Sequence, residues 1–477
     1  MSGPHTVVVG GGVAGLVVAW ELARAGQPVT VLEASTTLGG ALARHRVGGL
    51  ELDAGADSFA TATPAVADLI AELGLAAEVV APRPGGAWVR HEAGSAPLPA
   101  GALLGIPARP WAADSRRALG FLGATRAAAD LLLPARVGAE QLTLAGLVRT
   151  RMGARVVRRL VEPVAGGVYA SDPELLELAT VNPRLAPALA ATGSLAGAVR
   201  ALRAGGQRPG SAVLGLRGGL AGLVQALIDA ITTLGGEIVP ECAVAAVDPA
   251  GPGWRLSTAT GDRSADRVVL ATDAPAAARL IPGSGPAAPT TEVELVTLVL
   301  NAPELDRAPR GTGVLVSRRA RGVGAKALTH ATAKWDWLAQ AAGPGRHVLR
   351  LSYGREDVPL PAAGRLGDAT ERARRDAEVL LGVPLPAAAV LGAAVRRWCS
   401  GLPRPGVGQA RAVAQLRAGL PAGLSVVGAG VAGTGLAAVV ADARRVAAGL
   451  RAGTTGGGVG KSTPAGPGAA GTRGQDG

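Results

Sequence analysis

Aromatic side chains are scarce in this 477-residue chain, with two Phe, two Tyr and seven Trp making up 2% of it. A surface that stacks nucleobases needs such rings, so their scarcity argues against a nucleic-acid partner. Lysine is almost missing (Lys326, Lys334 and Lys461), and the arginines that carry the positive charge are scattered rather than striped, which argues the same way. The two cysteines, Cys242 and Cys399, form no CxxC or metal-ligand spacing and read as buried, inert thiols suited to a reducing cytoplasm. His5, His45, His91, His330 and His347 are dispersed and read as surface or structural residues; no Ser-His-Asp or metal constellation is present, so no metal is expected and no catalytic residue is assigned. A secretory signal is also lacking, because residues 6–20 alternate Val and Gly and lead into a helix bearing Glu21 and Arg24. The uncharged stretch 419–441 is long enough to cross a bilayer, but Pro421 and the glycines from Gly423 to Gly435 break it into strand, loop and helix.

Hydrophobic residues make up 48% of the chain, ample for a packed core, and its length suggests two or three domains. The formal charge of +12 favours anionic partners, an acidic small molecule or a phospholipid surface. Residues 6–33 read as strand (Thr6–Val9), glycine turn, helix (Ala14–Ala25) and strand (Val29–Glu33), a βαβ unit. Helical patterns follow at 66–73, 115–161, 218–234, 369–382 and 434–449. Strands are expected around Trp88 and at 237–247, 254–258, 267–271, 293–300, 313–317, 325–330, 347–353 and 424–428. The segment 115–161, apolar but interrupted by Arg116, Arg126, Arg149, Arg155 and Arg158, reads as a membrane-facing or substrate-covering insertion.

Gly10, Gly12 and Gly15 fit GxGxxG between a hydrophobic strand and a helix. The first glycine permits the turn, the second lets backbone approach a pyrophosphate, and the third lets helix and strand pack closely. The following helix N-terminus (Val13, Ala14) offers N–H groups and a partial positive charge to phosphate. Glu33 ends the second strand about 20 residues on, where a ribose-binding carboxylate is expected, and its charge disfavours NADP. Gly39 and Gly40 follow, then Arg44. Near the other end, Val426–Leu436 again runs strand, glycine-rich loop and helix, with Gly428, Val431 and Gly435 in the loop.

Further runs carry a resemblance. They are Gly49–Phe59 (with Asp53, Gly55, Ala56 and Asp57), Glu162–Leu176 (with Gly167, Tyr169 and Pro173), Gly193-Ser194-Leu195, Arg217–Leu220, Gly313–Val316, Lys334-Trp335, Arg350 to Arg355 and Arg397-Trp398. In this order the chain resembles the oxygen-dependent protoporphyrinogen/coproporphyrinogen oxidases of the bacterial type, flavoproteins of the amine-oxidase fold. It departs from them at Ala56 (a proline there), at Gly433–Ala438 (no Pro or acid), at Gly408-Gln409 (a Gly-His pair) and at Gly86, where the eukaryotic-type enzymes carry a propionate-pairing arginine.

The resemblance implies an α/β (α+β overall) fold, a Rossmann-like FAD-binding domain with a mixed-sheet substrate domain and a helical insertion. The corresponding layout is 1–80, 206–285 and 406–451 for FAD, 81–114 and 286–405 for substrate, 115–205 for the insertion and 452–477 as a disordered tail. It implies that FAD is held by Gly10, Gly12, Val13, Ala14, Gly15, Glu33, Ala34, Gly39, Gly40, Ala41, Gly55, Ala56, Asp57, Val244, Trp398, Gly428, Val431, Gly435 and Leu436. Gly167, Tyr169, Arg90 and Arg350 are candidates for substrate, with Arg44 and Arg355 as further carboxylate partners. The implied reaction is a six-electron oxidation of a porphyrinogen, coproporphyrinogen III ahead of protoporphyrinogen IX, with O2 as acceptor and hydrogen peroxide as product, in haem biosynthesis. An amine oxidase or carotenoid desaturase, or a non-catalytic flavin or porphyrin carrier, is the alternative. The expected place is the cytoplasm, with peripheral contact at the inner face of the membrane left open.

Overall fold

Short strands that read as unbroken apolar runs, such as Thr6–Val9 (TVVV) and Val29–Leu32 (VTVL), belong in a parallel sheet covered on both faces. A computed structural model of the chain describes residues 3–169, 171–204, 213–281, 283, 290–355, 360, 364–403 and 406–455. In it those two strands lie within a five-stranded parallel sheet ordered Glu237–Val239, Val29–Leu32, Thr6–Val9, Arg267–Leu270, Leu424–Val426. Alternate residues serve the two faces. Val8, Val31 and Val269 join the helices Val13–Arg24, Ala221–Thr233 and Leu436–Thr455 in one core. Val7, Val9, Leu32, Val268 and Leu270 pack instead with Trp254 and Leu256 of a three-stranded antiparallel sheet, Val244–Ala250, Gly253–Thr258 and Gly261–Ala265. The expected strand 237–247 is therefore two strands in different sheets. The break falls at Pro240-Glu241, where Glu241 takes a φ of +55°.

The second sheet has seven strands, ordered Val390–Pro403, Thr290–Asn301, Arg346–Tyr353, Ala327–His330, Gly313–Val316, Trp88–His91, Gly94–Pro97. All its pairings are antiparallel except Gly313–Val316 with Trp88–His91, so the sheet is mixed. Helix Leu366–Leu381 covers one face, its Ala369, Ala373, Ala377 and Leu380 packing on Val296, Leu298, Val314, Val316, Leu349 and Leu351. The 14-residue strand Val390–Pro403 and helix Gln409–Ala418 have no counterpart among the expected elements.

Helices between Ala113 and Ala204 form the insertion around Leu119, Leu144, Val148, Leu160, Leu185 and Leu195. Arginine at these spacings suggests a solvated face, yet Arg151 is fully buried. It pairs with Asp130 at 2.6 Å and donates to the carbonyls of Asp130, Leu133, Pro134, Val137 and Gly193. Among the described residues no single helix is long and apolar enough to cross a membrane. One pair bent by 112°, Leu185–Thr192 with Leu195–Ala204, passes by composition, but its Leu185, Leu189 and Leu195 are buried in the insertion. Helix Leu436–Thr455 runs on past the expected domain end at 451, and the rest of the expected tail lies outside the described residues. Glu21 pairs with Arg444 at 3.5 Å and with Arg451 at 2.6 Å, tying this last helix to the first.

Candidate active site

In the parallel sheet the chain moves outward in one direction from Thr6–Val9 to Val29–Leu32 and Glu237–Val239, then in the other to Arg267–Leu270 and Leu424–Val426. The crevice beyond Val9 and Leu270 is thus a topological switch point, the place where such sheets bind ligands. Gly10 sits there with φ +110°, and a Cβ on it would lie 2.7 Å from the Ala271 carbonyl oxygen. A Cβ on Gly15 would lie 2.1 Å from the Gly10 carbonyl oxygen, so helix and turn touch through bare backbone. Gly12 differs, because a Cβ there would meet no protein atom within 4 Å. It opens the helix with no side-chain cap, which leaves the first-turn N–H groups of Val13 and Ala14 aimed into that open space.

Glu33 accepts from the Gly11 N–H at 2.7 Å through one carboxylate oxygen and from the Ser35 N–H at 2.8 Å through the other. Each oxygen keeps a lone pair for a ribose hydroxyl, and Ala34 beside it is exposed. The Cys242 N–H donates to the Glu33 carbonyl at 2.8 Å, which brings Val244 to the same end of the crevice. Cys242 is buried and unpaired, in keeping with an inert thiol; the Cys399 side chain lies outside the described residues. Gly39 donates to the Gly11 carbonyl at 2.9 Å, and a Cβ on Gly40 would lie 3.3 Å from the Gly12 Cα. From the far end of the chain, a Cβ on Gly428 would come within 3.9 Å of the Ala14 Cβ, while Gly435 and Leu436 open the helix packed along Val13–Arg24. Val431 packs into the core on the other side of the sheet. The two glycine units therefore converge.

Next to them Ala41, Gly55 and Trp398 meet. A Cβ on Gly55 would lie 2.0 Å from the Ala41 carbonyl oxygen and 3.3 Å from the Trp398 ring, and the Ala56 N–H donates to the same carbonyl at 3.0 Å. Asp57 receives Lys334 Nζ at 3.1 Å and lies 3.5 Å from Arg350, which also donates to the Gly55 carbonyl. Burial alone would raise the Asp57 pKa, but the Lys334 and Arg350 charges outweigh it and hold the carboxyl below its usual range. Asp53 belongs to the fold: it accepts from the Leu220 and Ala221 N–H groups at 3.1 and 3.2 Å, capping helix Ala221–Thr233. Burial pushes its carboxyl up to about 6 against the pull of those N–H groups and of Arg350.

Strand alternation sorts the substrate candidates. Arg350 lies in register with Thr297 and Thr329, and the neighbouring row on the same face is Leu315, Ala327, Ser352, Leu295 and Arg396. A Cβ on Gly167 would lie 2.7 Å from Leu315 Cδ2, so helix Glu162–Tyr169 closes this face opposite the flavin-side glycines. Arg90 pairs with Val316, whose side chain packs under helix Leu366–Leu381, so Arg90 points to the opposite face. That corrects the expectation that it meets substrate. Arg350 is on the right face, but Asp57 and the Gly55 carbonyl already engage it. Arg355 donates to the Val316 carbonyl at 2.7 Å and lies 3.8 Å from Glu162. Tyr169 packs half-buried against the insertion core, and burial raises its pKa. Arg44 is exposed on a two-stranded ladder.

Lys334, Arg396 and His45 are the charged or polar residues of this face that motif reading left without a role. His330 and His347, far from dispersed, meet at 3.0 Å, with His347 also 3.0 Å from Asp306. Burial lowers both pKa values, His330 to about 3. They border a separate cleft of about 370 Å³ with Arg83, Gln340 and Arg346.

The bare backbone around Gly12, the uncapped helix start, the Glu33 carboxylate and the convergent second glycine unit fit a flavin dinucleotide. Residues 13–450 match the flavin containing amine oxidoreductases, and the chain belongs to that family. It is an oxidoreductase with a flavin cofactor. Among its relatives, a Mycobacterium tuberculosis coproporphyrinogen III oxidase is 32% identical over 92% of this chain and 95% of its own. The Propionibacterium freudenreichii coproporphyrinogen III oxidase is 30% identical over 93% and 90%. The crystal structure of an Exiguobacterium sp. 255-15 protein, described as a protoporphyrinogen oxidase, superposes with a TM-score of 0.83 at 27% identity over 95% of this chain and all of that one. The cyclohexylamine oxidase of Brevibacterium oxydans shares the fold at TM-score 0.66 and 19% identity, over 95% of this chain and 99% of its own.

Proposed function

We propose that this protein is an FAD-dependent porphyrinogen oxidase, converting coproporphyrinogen III to coproporphyrin III with O2 as electron acceptor and hydrogen peroxide as product. One observation carries the reading. The face of the seven-stranded sheet that carries Leu315, Ala327, Leu295 and Arg396 meets helix Glu162–Tyr169 at Leu315, and near Arg396 it brings Trp398 against Gly55 beside the flavin-side glycines, so the substrate cleft is placed along this face. That suits a large, flat macrocycle bearing carboxylates, whereas among the described residues no aromatic cage suited to a small cation lies on this face. When bound, the flavin supplies the hydride acceptor and the route to O2. The protein's part is positional: Leu315, Ala327 and Leu295 offer apolar surface to the ring, and the Asp57–Lys334–Arg350 network holds the Gly55 loop in place. FAD-loaded protein supplied with coproporphyrinogen III is expected to produce porphyrin fluorescence and consume O2, with protoporphyrinogen IX turned over more slowly. Faster turnover of protoporphyrinogen IX would reverse the substrate choice. Failure of either porphyrinogen to bleach the flavin anaerobically would leave a carrier.

Peripheral membrane contact is a second part of the proposal. Phe121, Leu122 and Leu132 are 68%, 72% and 86% exposed on the insertion, and Phe121 packs 5.2 Å from Trp111, which has Arg116 5.8 Å over its ring. Apolar tips flanked by Arg116 and Arg117 suit an anionic bilayer surface. Sedimentation with phosphatidylglycerol vesicles is expected to exceed that with phosphatidylcholine. A Phe121→Ser/Leu132→Ser variant is expected to bind about 10-fold more weakly or worse. Identical sedimentation of the variant would remove this contact.

A further inference from the structure

Two consecutive arginines on strand Val390–Pro403 face opposite sides of the seven-stranded sheet. Arg397 shares the side of helix Leu366–Leu381, where the buried Glu294 carboxylate, which also receives Arg372, pairs with it at 2.6 Å. Arg396 lies on the other face, in the row of Leu295, Ser352, Ala327 and Leu315. Its guanidinium lies 4.8 Å over the Trp398 ring, which in turn borders Gly55, and it is exposed with no carboxylate partner among the described residues. The other cations of this wall are already engaged, Lys334 and Arg350 by Asp57 and Arg350 also by the Gly55 carbonyl. Near Arg396 lies a second unsatisfied group: His45 Nε2 is buried with no hydrogen-bond partner. Burial, then the Arg350 and Arg396 charges, lowers the His45 pKa, which favours the neutral imidazole, a ring able to donate one hydrogen bond without adding a further positive charge.

We infer that Arg396, backed by His45, forms a carboxylate subsite at the flavin-side end of the cleft and grips a propionate of the macrocycle. The inference rests on the proposed porphyrinogen reaction and adds the residue that reads the substrate's charge. The chemistry favours it. A guanidinium held over an indole has lost part of its rotational freedom, so less entropy remains to be lost when a carboxylate docks in the fork geometry.

The test compares wild-type holoprotein with Arg396→Ala and Arg396→Lys, measuring the binding of coproporphyrin III and of its tetramethyl ester by fluorescence, and FAD affinity separately. Arg396→Ala is expected to weaken coproporphyrin III binding about 10- to 100-fold, with Arg396→Lys recovering part of it. The ester should bind wild type and Arg396→Ala alike, and FAD affinity should not change. In turnover, KM should rise by a similar factor with kcat nearly constant. Equal coproporphyrin III affinity in wild type and Arg396→Ala, while the wild type still oxidises the porphyrinogen, would overturn the subsite and leave the reaction standing. Loss of FAD from Arg396→Ala would instead assign the arginine to the cofactor and overturn the inference. A wild type that neither binds the porphyrin nor oxidises the porphyrinogen would overturn both.

Discussion

Gly12→Ala is expected to lose flavin binding by about 100-fold or more while the apoprotein keeps its stability to within about 0.5 kcal/mol. Gly12 has φ −71° and ψ 171°, a conformation alanine adopts freely, and the added methyl meets no protein atom within 4 Å. On the proposed cofactor site, the space it would occupy is the space the pyrophosphate needs. Gly15→Ala is expected to behave differently. Its methyl would stand 2.1 Å from the Gly10 carbonyl oxygen and 3.0 Å from Val8 and Ala271, all parts of the sheet and turn. The backbone must shift, at about 3 kcal/mol, and the apoprotein itself should be destabilised. Urea denaturation of both apoproteins, alongside a flavin fluorescence titration, separates the two effects. A Gly12→Ala protein that binds flavin like the wild type would mean that the pyrophosphate does not approach the chain here.

Arg151→Met should cost about 3–5 kcal/mol, the largest effect expected of any charged side chain in the insertion. The arginine and Asp130 are both fully buried, and one guanidinium serves the carboxylate and five backbone carbonyls. Asp130 in turn accepts from the Leu195 and Ala196 N–H groups at 3.1 and 2.8 Å, capping the helix Leu195–Ala204. Removing the cation leaves a buried anion unbalanced and several carbonyls unsatisfied, although methionine fills most of the volume. Arg151→Lys should recover less than half, because one ammonium cannot span the same fan of acceptors. Urea denaturation and the rate of proteolysis within the insertion provide the readout. A loss below about 1 kcal/mol would show that the segment does not depend on this pair.

Arg151 also marks a boundary in what the sequence discloses. Nothing in the spacing of Arg149, Arg151, Arg155 and Arg158 distinguishes the buried residue from its neighbours, since helical periodicity assigns a face but not what packs on it. The strand Val390–Pro403 escaped notice for a related reason: its Ala and Gly content dilutes the alternation that marks a half-buried strand. Arg90 is a candidate by residue type alone, and residue type carries no information about side-chain direction. Only its register with Val316 shows that it points away from Gly167. The βαβ unit, by contrast, is readable nearly to the residue, because its turn needs a positive φ at Gly10 and a close backbone approach at Gly15 that only glycine permits.

By itself the sequence determined the dinucleotide turn at Gly10–Gly15, the Glu33 carboxylate, the second glycine unit at Gly428–Gly435 and the family resemblance, all features written in short, contiguous runs. Tertiary structure alone decided that the two glycine units converge, that Asp57 gathers Lys334 and Arg350, and that among the described residues Arg396 is left without a carboxylate while Arg397 has one. Those outcomes depend on which strands pair, and in which register, across segments separated by hundreds of residues. Strand pairing is a global solution to burying apolar surface, and no local pattern encodes it.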